Sequence, residues 1–241
     1  MRTLVVLPTY NEILNIEPML RALREVVPSV DVLVVDDDSP DGTAAKVQEV
    51  AGQLGQIHLL HHGVKNGLGV AYRAGFTWGL ERDYDHFVEI DCDFSHDPRA
   101  LPSLLVAAST HEVVIGSRYV QGGSIPRWSL SRRLLSRGGN EYASLMLGLH
   151  VADSTAGYRV YSRSALEKID YQTVNAEGYG FQIEMTHRAR RGGASIVEVP
   201  ISFSDRKRGE SKMSGSIIFE ALWLVTKWSL ERPFRRHPVE V

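Results

Sequence analysis

The chain has 241 residues, 43% hydrophobic and 23% charged, the proportions of a globular protein long enough to bury one large core without covalent staples. A single cysteine, Cys92, excludes an internal disulfide framework and a multi-cysteine zinc site. The formal charge of −2 conceals a division: residues 1–97 carry 16 acidic side chains against 7 Lys/Arg (net −9), residues 98–241 carry 13 against 20 (net +7), which predicts one half that handles a cation and another that handles an anion or an acidic surface.

Leu4-Val5-Val6-Leu7 predicts a fully buried strand stopped by Pro8. Four apolar residues are too few for a signal-peptide core, and no stretch approaches the ~20 that a spanning helix needs, so a cytoplasmic protein is expected. From Asn15 to Val27 the apolar residues recur at helical spacing, and Val32 to Val35 is a second apolar strand. Asp41-Gly42-Thr43 opens a helix running to about Leu54, with Asp41 or Thr43 suited to cap it. Ile57–Leu60, His86–Ile90 and Glu112–Ile115 are predicted strands, separated by helices near Gly69–Leu80 and Pro98–Ala108. Buried strands linked by helices predict an α/β three-layer domain around a mostly parallel sheet. Beyond Ser117 a basic, Gly-containing segment, Arg118–Arg137, leads into a helix near Leu134–Leu147. Strands near Tyr158–Tyr161 and Ile196–Phe203 flank a helix near Gln182–Arg191, and a last helix spans roughly Met213–Leu230. No repeat or linker divides residues 1–241, so one domain is expected, with 214–241 its terminal helix and basic tail.

The acidic run Asp36-Asp37-Asp38-Ser39-Pro40-Asp41-Gly42 falls where open α/β sheets bind ligands, beyond the carboxyl end of a strand. Its mutual repulsion has to be offset by a cation or by hydrogen-bond donors; an Asp-rich capped turn is the plainer alternative. Asp91-Cys92-Asp93 follows a predicted strand, and in extended backbone Asp91 and Asp93 point one way while Cys92 turns to the core. Two convergent carboxylates suit Mg2+ or Mn2+ bridging to substrate phosphates; the alternative is a capping turn ahead of Pro98. Gly67-Leu68-Gly69-Val70-Ala71-Tyr72 is no dinucleotide fingerprint, because Tyr72 occupies the third small position. Arg118, Arg127, Arg132, Arg133 and Arg137 stand with no acidic residue among them, and Asp205 to Lys212 adds a second basic cluster. Guanidinium forks with nearby Gly and Ser suit phosphate oxygens; a solvated charged face is the alternative. With a pI near 6.5 and no nucleic-acid-binding module, nucleic acid is not an expected partner.

Together these segments resemble the polyprenyl-phosphate mannose synthases of glycosyltransferase family 2. The resemblance spans nearly the whole chain and rests on nine motifs in register. They are Pro8–Glu12, Val34–Thr43, Gly67–Tyr72, Asp91–His96, Gly116–Tyr119, Ser136–Asn140, Asp153–Arg159, Gly180–Glu184 and Arg206–Met213. It implies a GT-A type, Rossmann-like fold and inverting transfer of mannose from GDP-mannose to a polyprenyl phosphate. Matched motif to motif, Pro8, Tyr10, Glu12 and Asp37 line the nucleotide pocket, and Asp91 and Asp93 hold Mg2+ or Mn2+ on the diphosphate. Arg118, Arg132 and Ser136 receive the acceptor phosphate, and Arg206 and Lys212 close over the phosphates; Asp93, Arg118 and Arg132 carry the catalysis. The anionic acceptor needs no dedicated general base. Cys92 departs from the usual Asp-Ala-Asp form, and the carboxyl-terminal spanning helices of some members are absent from this chain. Peripheral attachment to the cytoplasmic face of a membrane is therefore expected, with a separate membrane-spanning partner. For the final helix two readings compete: packing on the sheet, or an interfacial anchor built on Trp223, Trp228 and Phe234 with Lys227, Arg232, Arg235 and Arg236. Transfer from UDP-glucose, and a non-catalytic nucleotide-sugar-binding subunit, are the alternative functions.

Overall fold

The computed structural model describes residues 1–63, 67–205 and 215–230, with side chains of the last helix from Glu220 onward. Among these residues seven strands form one sheet in the order β3-β2-β1-β4-β6-β5-β7. They are β1 Thr3–Thr9, β2 Asp31–Asp36, β3 Ile57–His61, β4 His86–Glu89, β5 Val113–Ser117, β6 Arg159–Ser162 and β7 Ile196–Pro200. Only β6 runs against its neighbours, pairing antiparallel with both β4 and β5. The helices are α1 Ile16–Val26, α2 Thr43–Leu54, α3 Leu68–Leu80, α4 Leu101–Ala108, α5 Leu130–Leu147, α6 Arg163–Ile169, α7 Gly178–Arg191 and α8 Gly215–Leu230.

The apolar strands work as a parallel sheet requires, by sending alternate side chains to opposite layers. Leu4 and Val6 of β1, with Leu33 and Val35 of β2, enter a core shared with Phe76, Phe87 and Phe181. Val5 and Leu7, with Val32 and Val34, enter the opposite core with Met19, Leu23 and Leu104. Helix α3 comes close to the sheet because Gly79 carries no side chain: a Cβ there would lie 2.6 Å from the Phe87 ring.

Five details correct the sequence pattern. Pro8 does not stop β1; it lies within the strand in register with Val35. Strand β4 ends at Glu89, so Asp91 to Asp93 form a turn and the alternation argument fails there, although Cys92 is buried in the core as expected. Helix α5 begins at Leu130, four residues ahead of the predicted start, with the Ser129 hydroxyl accepting from the Arg132 amide as its cap. Helix α6, which had no apolar periodicity long enough to notice, follows β6 directly. Helix α8 packs on α5 and α7 instead of on the sheet.

Candidate active site

The carboxyl ends of β1, β2, β4 and β5 and the start of β6 open on one edge of the sheet. On the β1–β2 side, the acidic run divides between scaffolding and ligand-facing positions. Asp36 accepts from the Thr9 hydroxyl (2.8 Å), the Ser39 hydroxyl (2.6 Å) and the Ser39 amide (2.9 Å). Asp41 accepts from the Ile13 amide (3.0 Å) and from both the amide and hydroxyl of Thr43. Hydrogen-bond donors therefore offset the repulsion at these two, as the capped-turn alternative requires. Asp37 is buried at the strand end, where its amide donates to the Thr9 carbonyl and its carboxylate meets His62 Nδ1 at 2.9 Å. Pro8, Tyr10 and Glu12 line the same edge half-buried, and the Glu12 carboxylate accepts from the Asn15 amide group (2.7 Å).

The second corner is the turn after β4. Asp93 is buried and accepts from the Ser95 amide (2.9 Å), which fixes the turn that carries it. Asp91 stands at the mouth, about one-third exposed, with the Tyr72 hydroxyl at 3.5 Å and His96 Nδ1 at 3.8 Å. A Cβ on Gly157 would lie 4.0 Å from Asp91 Oδ2, so the missing side chain leaves room beside the carboxylate. Among the described residues no three His, Cys, Asp or Glu side chains form a complete cage for an ion. The Asp91 carboxylate beside the space at Gly157, Asp93 two positions on, and a His96 Nδ1 that has no hydrogen-bond partner among the described residues nevertheless fit a hard divalent ion that takes its remaining ligands from water and substrate phosphates. Behind this corner Glu89 is fully buried, accepts from Gln182 (2.8 Å) and faces Arg159 across the β4–β6 pair. Burial pushes its carboxyl up to about 7, against the opposing pull of Arg159.

The third corner is basic and apolar. The Arg118 guanidinium is buried, bound through two nitrogens to Asp153 (2.7 and 2.6 Å), and donates to Thr155 (2.8 Å). Burial alone would lower its pKa, but Asp153 more than offsets this. Asn140 of α5 ties the same loop down, accepting from Ser154 and Thr155. Arg132 lies 3.9 Å over the Trp128 ring, and the Ser136 hydroxyl accepts from Tyr119 (2.7 Å). Arg132, Ser136, Trp128 and Tyr179 edge a cleft floored by Ile183, Ala221 and Val225, where α5, α7 and α8 meet.

An aromatic bridge joins the acidic and basic corners. His96 packs against Phe203 (5.2 Å between ring centroids), Phe203 against Trp128 (5.6 Å), and Arg118 lies over both of those rings. Burial lowers the His96 pKa to about 4, leaving the ring neutral between the charges of Asp93, Arg118 and Asp153. The structure thus places Arg132 and Ser136 on the cleft, Arg118 over the aromatic bridge, and Asp91 and Asp93 on the turn at the far side of His96, with Pro8, Tyr10, Glu12 and Asp37 at the ends of β1 and β2. Arg206 and Lys212 lie outside the described residues, as do Phe234, Arg232, Arg235 and Arg236. Sequence reasoning assigned no role to His62, His96, Asn140 or Asp153. The last three lie within the motifs Asp91–His96, Ser136–Asn140 and Asp153–Arg159, and their place in those motifs is the signal the sequence offers.

A doubly covered, mostly parallel sheet that gathers acids and arginines at its strand ends defines a glycosyltransferase of the GT-A type. The chain belongs to glycosyl transferase family 2, whose model matches residues 4–170. It is 52% identical over 230 residues to the undecaprenyl-phosphate mannosyltransferase of Micrococcus luteus, covering 95% of each chain. It is 48% identical over 231 residues to the polyprenol monophosphomannose synthase of Mycolicibacterium smegmatis, covering 95% of this chain and 87% of that one. Among solved structures, the fold matches a mannosyltransferase from Pyrobaculum calidifontis in complex with GDP-Man and Mn2+ (TM-score 0.61, 19% identity, 95% of this chain and 72% of the other). It also matches glucosyl-3-phosphoglycerate synthase from Mycobacterium tuberculosis in complex with Mn2+ and UDP-glucose (TM-score 0.69, 21% identity, 96% and 80%).

Proposed function

We propose that this glycosyltransferase moves mannose from GDP-mannose to the phosphate of a polyprenyl lipid, with inversion at the anomeric carbon and with Mg2+ or Mn2+. The observation that carries this is the juxtaposition, across one aromatic bridge, of an acidic turn and an arginine-edged apolar cleft. The two relatives named for polyprenyl-phosphate mannose synthesis and the fold neighbour holding GDP-Man and Mn2+ support it. Asp91 and Asp93 would hold the ion, which when bound supplies Lewis-acid stabilisation of the leaving diphosphate. Asp37, with Pro8, Tyr10 and Glu12, would hold the nucleotide. Arg132 and Ser136, with Arg118 fixed behind them, orient the acceptor phosphate, and the cleft takes the first part of its hydrocarbon tail. A phosphate already anionic at neutral pH attacks without a general base, so alignment and charge stabilisation carry the rate.

The membrane enters through the same region. No helix among the described residues is long and apolar enough to cross a bilayer. Leu130, Leu134 and Leu135 of α5 point outward at 72, 62 and 61% exposure, and Trp223 and Leu230 of α8 are likewise exposed. Ala221 and Val225 on the other face of α8 are buried, so this helix both packs and presents apolar surface. Outward leucines beside exposed arginines suit the headgroup boundary of an anionic membrane, which delivers the acceptor phosphate to the cleft.

The test is transfer from radiolabelled GDP-mannose and UDP-glucose to a polyprenyl phosphate, with Mg2+, Mn2+ or EDTA. Mannosyl-lipid formation that stops in EDTA and returns with metal is expected. Preferential use of UDP-glucose would replace the donor assignment, and no transfer from either would favour a binding subunit.

A further inference from the structure

We propose that Asp205 is a positioning and specificity residue for the acceptor: it holds the phosphate's place on Arg132 and admits only a phosphate that brings an apolar tail. This rests on the acceptor role proposed for Arg132. Oδ1 of Asp205 accepts from the Trp128 indole nitrogen (3.0 Å) and from Arg132 Nη1 (2.9 Å), while the guanidinium lies 3.9 Å above the indole ring. One carboxylate oxygen thus sets both partners of a cation–π pair at the edge of the apolar cleft that Trp128 and Arg132 help to line.

Two consequences follow from the position of this charge. Arg132 is held extended over the indole before any substrate arrives, so less side-chain freedom is lost when an anion binds. Yet the anion must displace the carboxylate or settle beside it, and like charges in close approach repel. Both partners of the Asp205–Arg132 pair are about 40% exposed, so the ion pair is weak and can be exchanged. A free phosphate has only charge with which to win this exchange. A prenyl phosphate also buries hydrocarbon against Ile183, Ala221 and Val225. Asp205 thereby excludes the abundant small anion without excluding the lipid.

Calorimetric titrations with inorganic phosphate and with geranyl phosphate test this, without divalent metal so that no anion is recruited through an ion. Asp205→Asn keeps an oxygen acceptor for Trp128 and Arg132 and removes only the charge. It should tighten inorganic phosphate about tenfold and geranyl phosphate less, narrowing the preference for the lipid, while Asp205→Glu keeps the wild-type preference. Unchanged or weaker phosphate binding in Asp205→Asn overturns the proposal. Arg132→Ala separates the two ideas. If it binds geranyl phosphate as the wild type does, the acceptor role of Arg132 fails; if it loses binding while Asp205→Asn gains none, only the role of Asp205 fails.

Discussion

Asp93 shows how one carboxylate serves shape and charge together. It caps its own turn through the Ser95 amide and lies two residues from Asp91, at the proposed ion site. Asp93→Asn keeps an oxygen for Ser95 but not the charge. Because metal stabilisation of the leaving group is worth several kcal/mol, turnover should fall about a hundredfold or more with the thermal transition near wild type. Activity close to wild type in a metal-dependent assay would move the ion elsewhere. Arg118 and Asp153 form the opposite kind of pair, with both side chains almost wholly buried. Removing one partner strands the other charge, so Asp153→Ala should destabilise the fold by about 3–5 kcal/mol in urea titration; a loss under about 1 kcal/mol would mean that Arg118 finds water or another acceptor. The motif Asp-x-Asp was legible because its chemistry lies in adjacent letters. Asp153 was not, because its partner is 35 residues away and only the fold brings them together.

At the level of elements, the apolar runs were the most legible feature, since buried parallel strands have no polar face to blur them. Boundaries failed where a local rule met a tertiary demand. Pro8 lacks an amide proton, yet its carbonyl and ring fit within β1, whose run continues to Thr9. Glu89 lies in the interior of the sheet, where a strand pattern gives no reason to bury a carboxylate; Gln182 and Arg159 supply that reason from distant segments. His86, the first residue of β4, ties the strand to the end of α4 by donating from Nε2 to the Ala108 carbonyl (3.3 Å), while its Nδ1 has no hydrogen-bond partner among the described residues. Burial lowers its pKa below 6.5. The unfolded chain therefore takes up this proton more readily, so the contribution of His86 is complete above pH 6.5 and is lost as pH falls below it. Urea titrations of wild type and His86→Gln should converge in stability as the pH is lowered from 7 towards 5; a constant difference would show that His86 does not titrate in this range.

For the whole molecule, the division of charge along the chain becomes a division between two corners joined by the aromatic bridge. The strand ends before residue 97 carry the acids, and the end of β5 and helix α5 carry Arg118 and Arg132. The basic half was legible as composition, but its shape was not: Leu130, Leu134 and Leu135 fit the spacing of an ordinary helix, and only the fold shows them exposed. If α5 meets the bilayer, Leu130→Glu with Leu134→Glu should abolish flotation with anionic liposomes while leaving the fold and GDP-mannose binding unchanged. Undiminished flotation would confine attachment to α8 and the residues beyond it. Those leucines also set how the protein behaves once it leaves the cell. An apolar ridge with no lipid to cover it invites a second copy of itself, so the purified enzyme should self-associate in plain buffer and disperse in a mild detergent, which sedimentation in the two buffers checks. The feature proposed to meet the lipid in the cell would then be what limits the concentration of the enzyme in a tube.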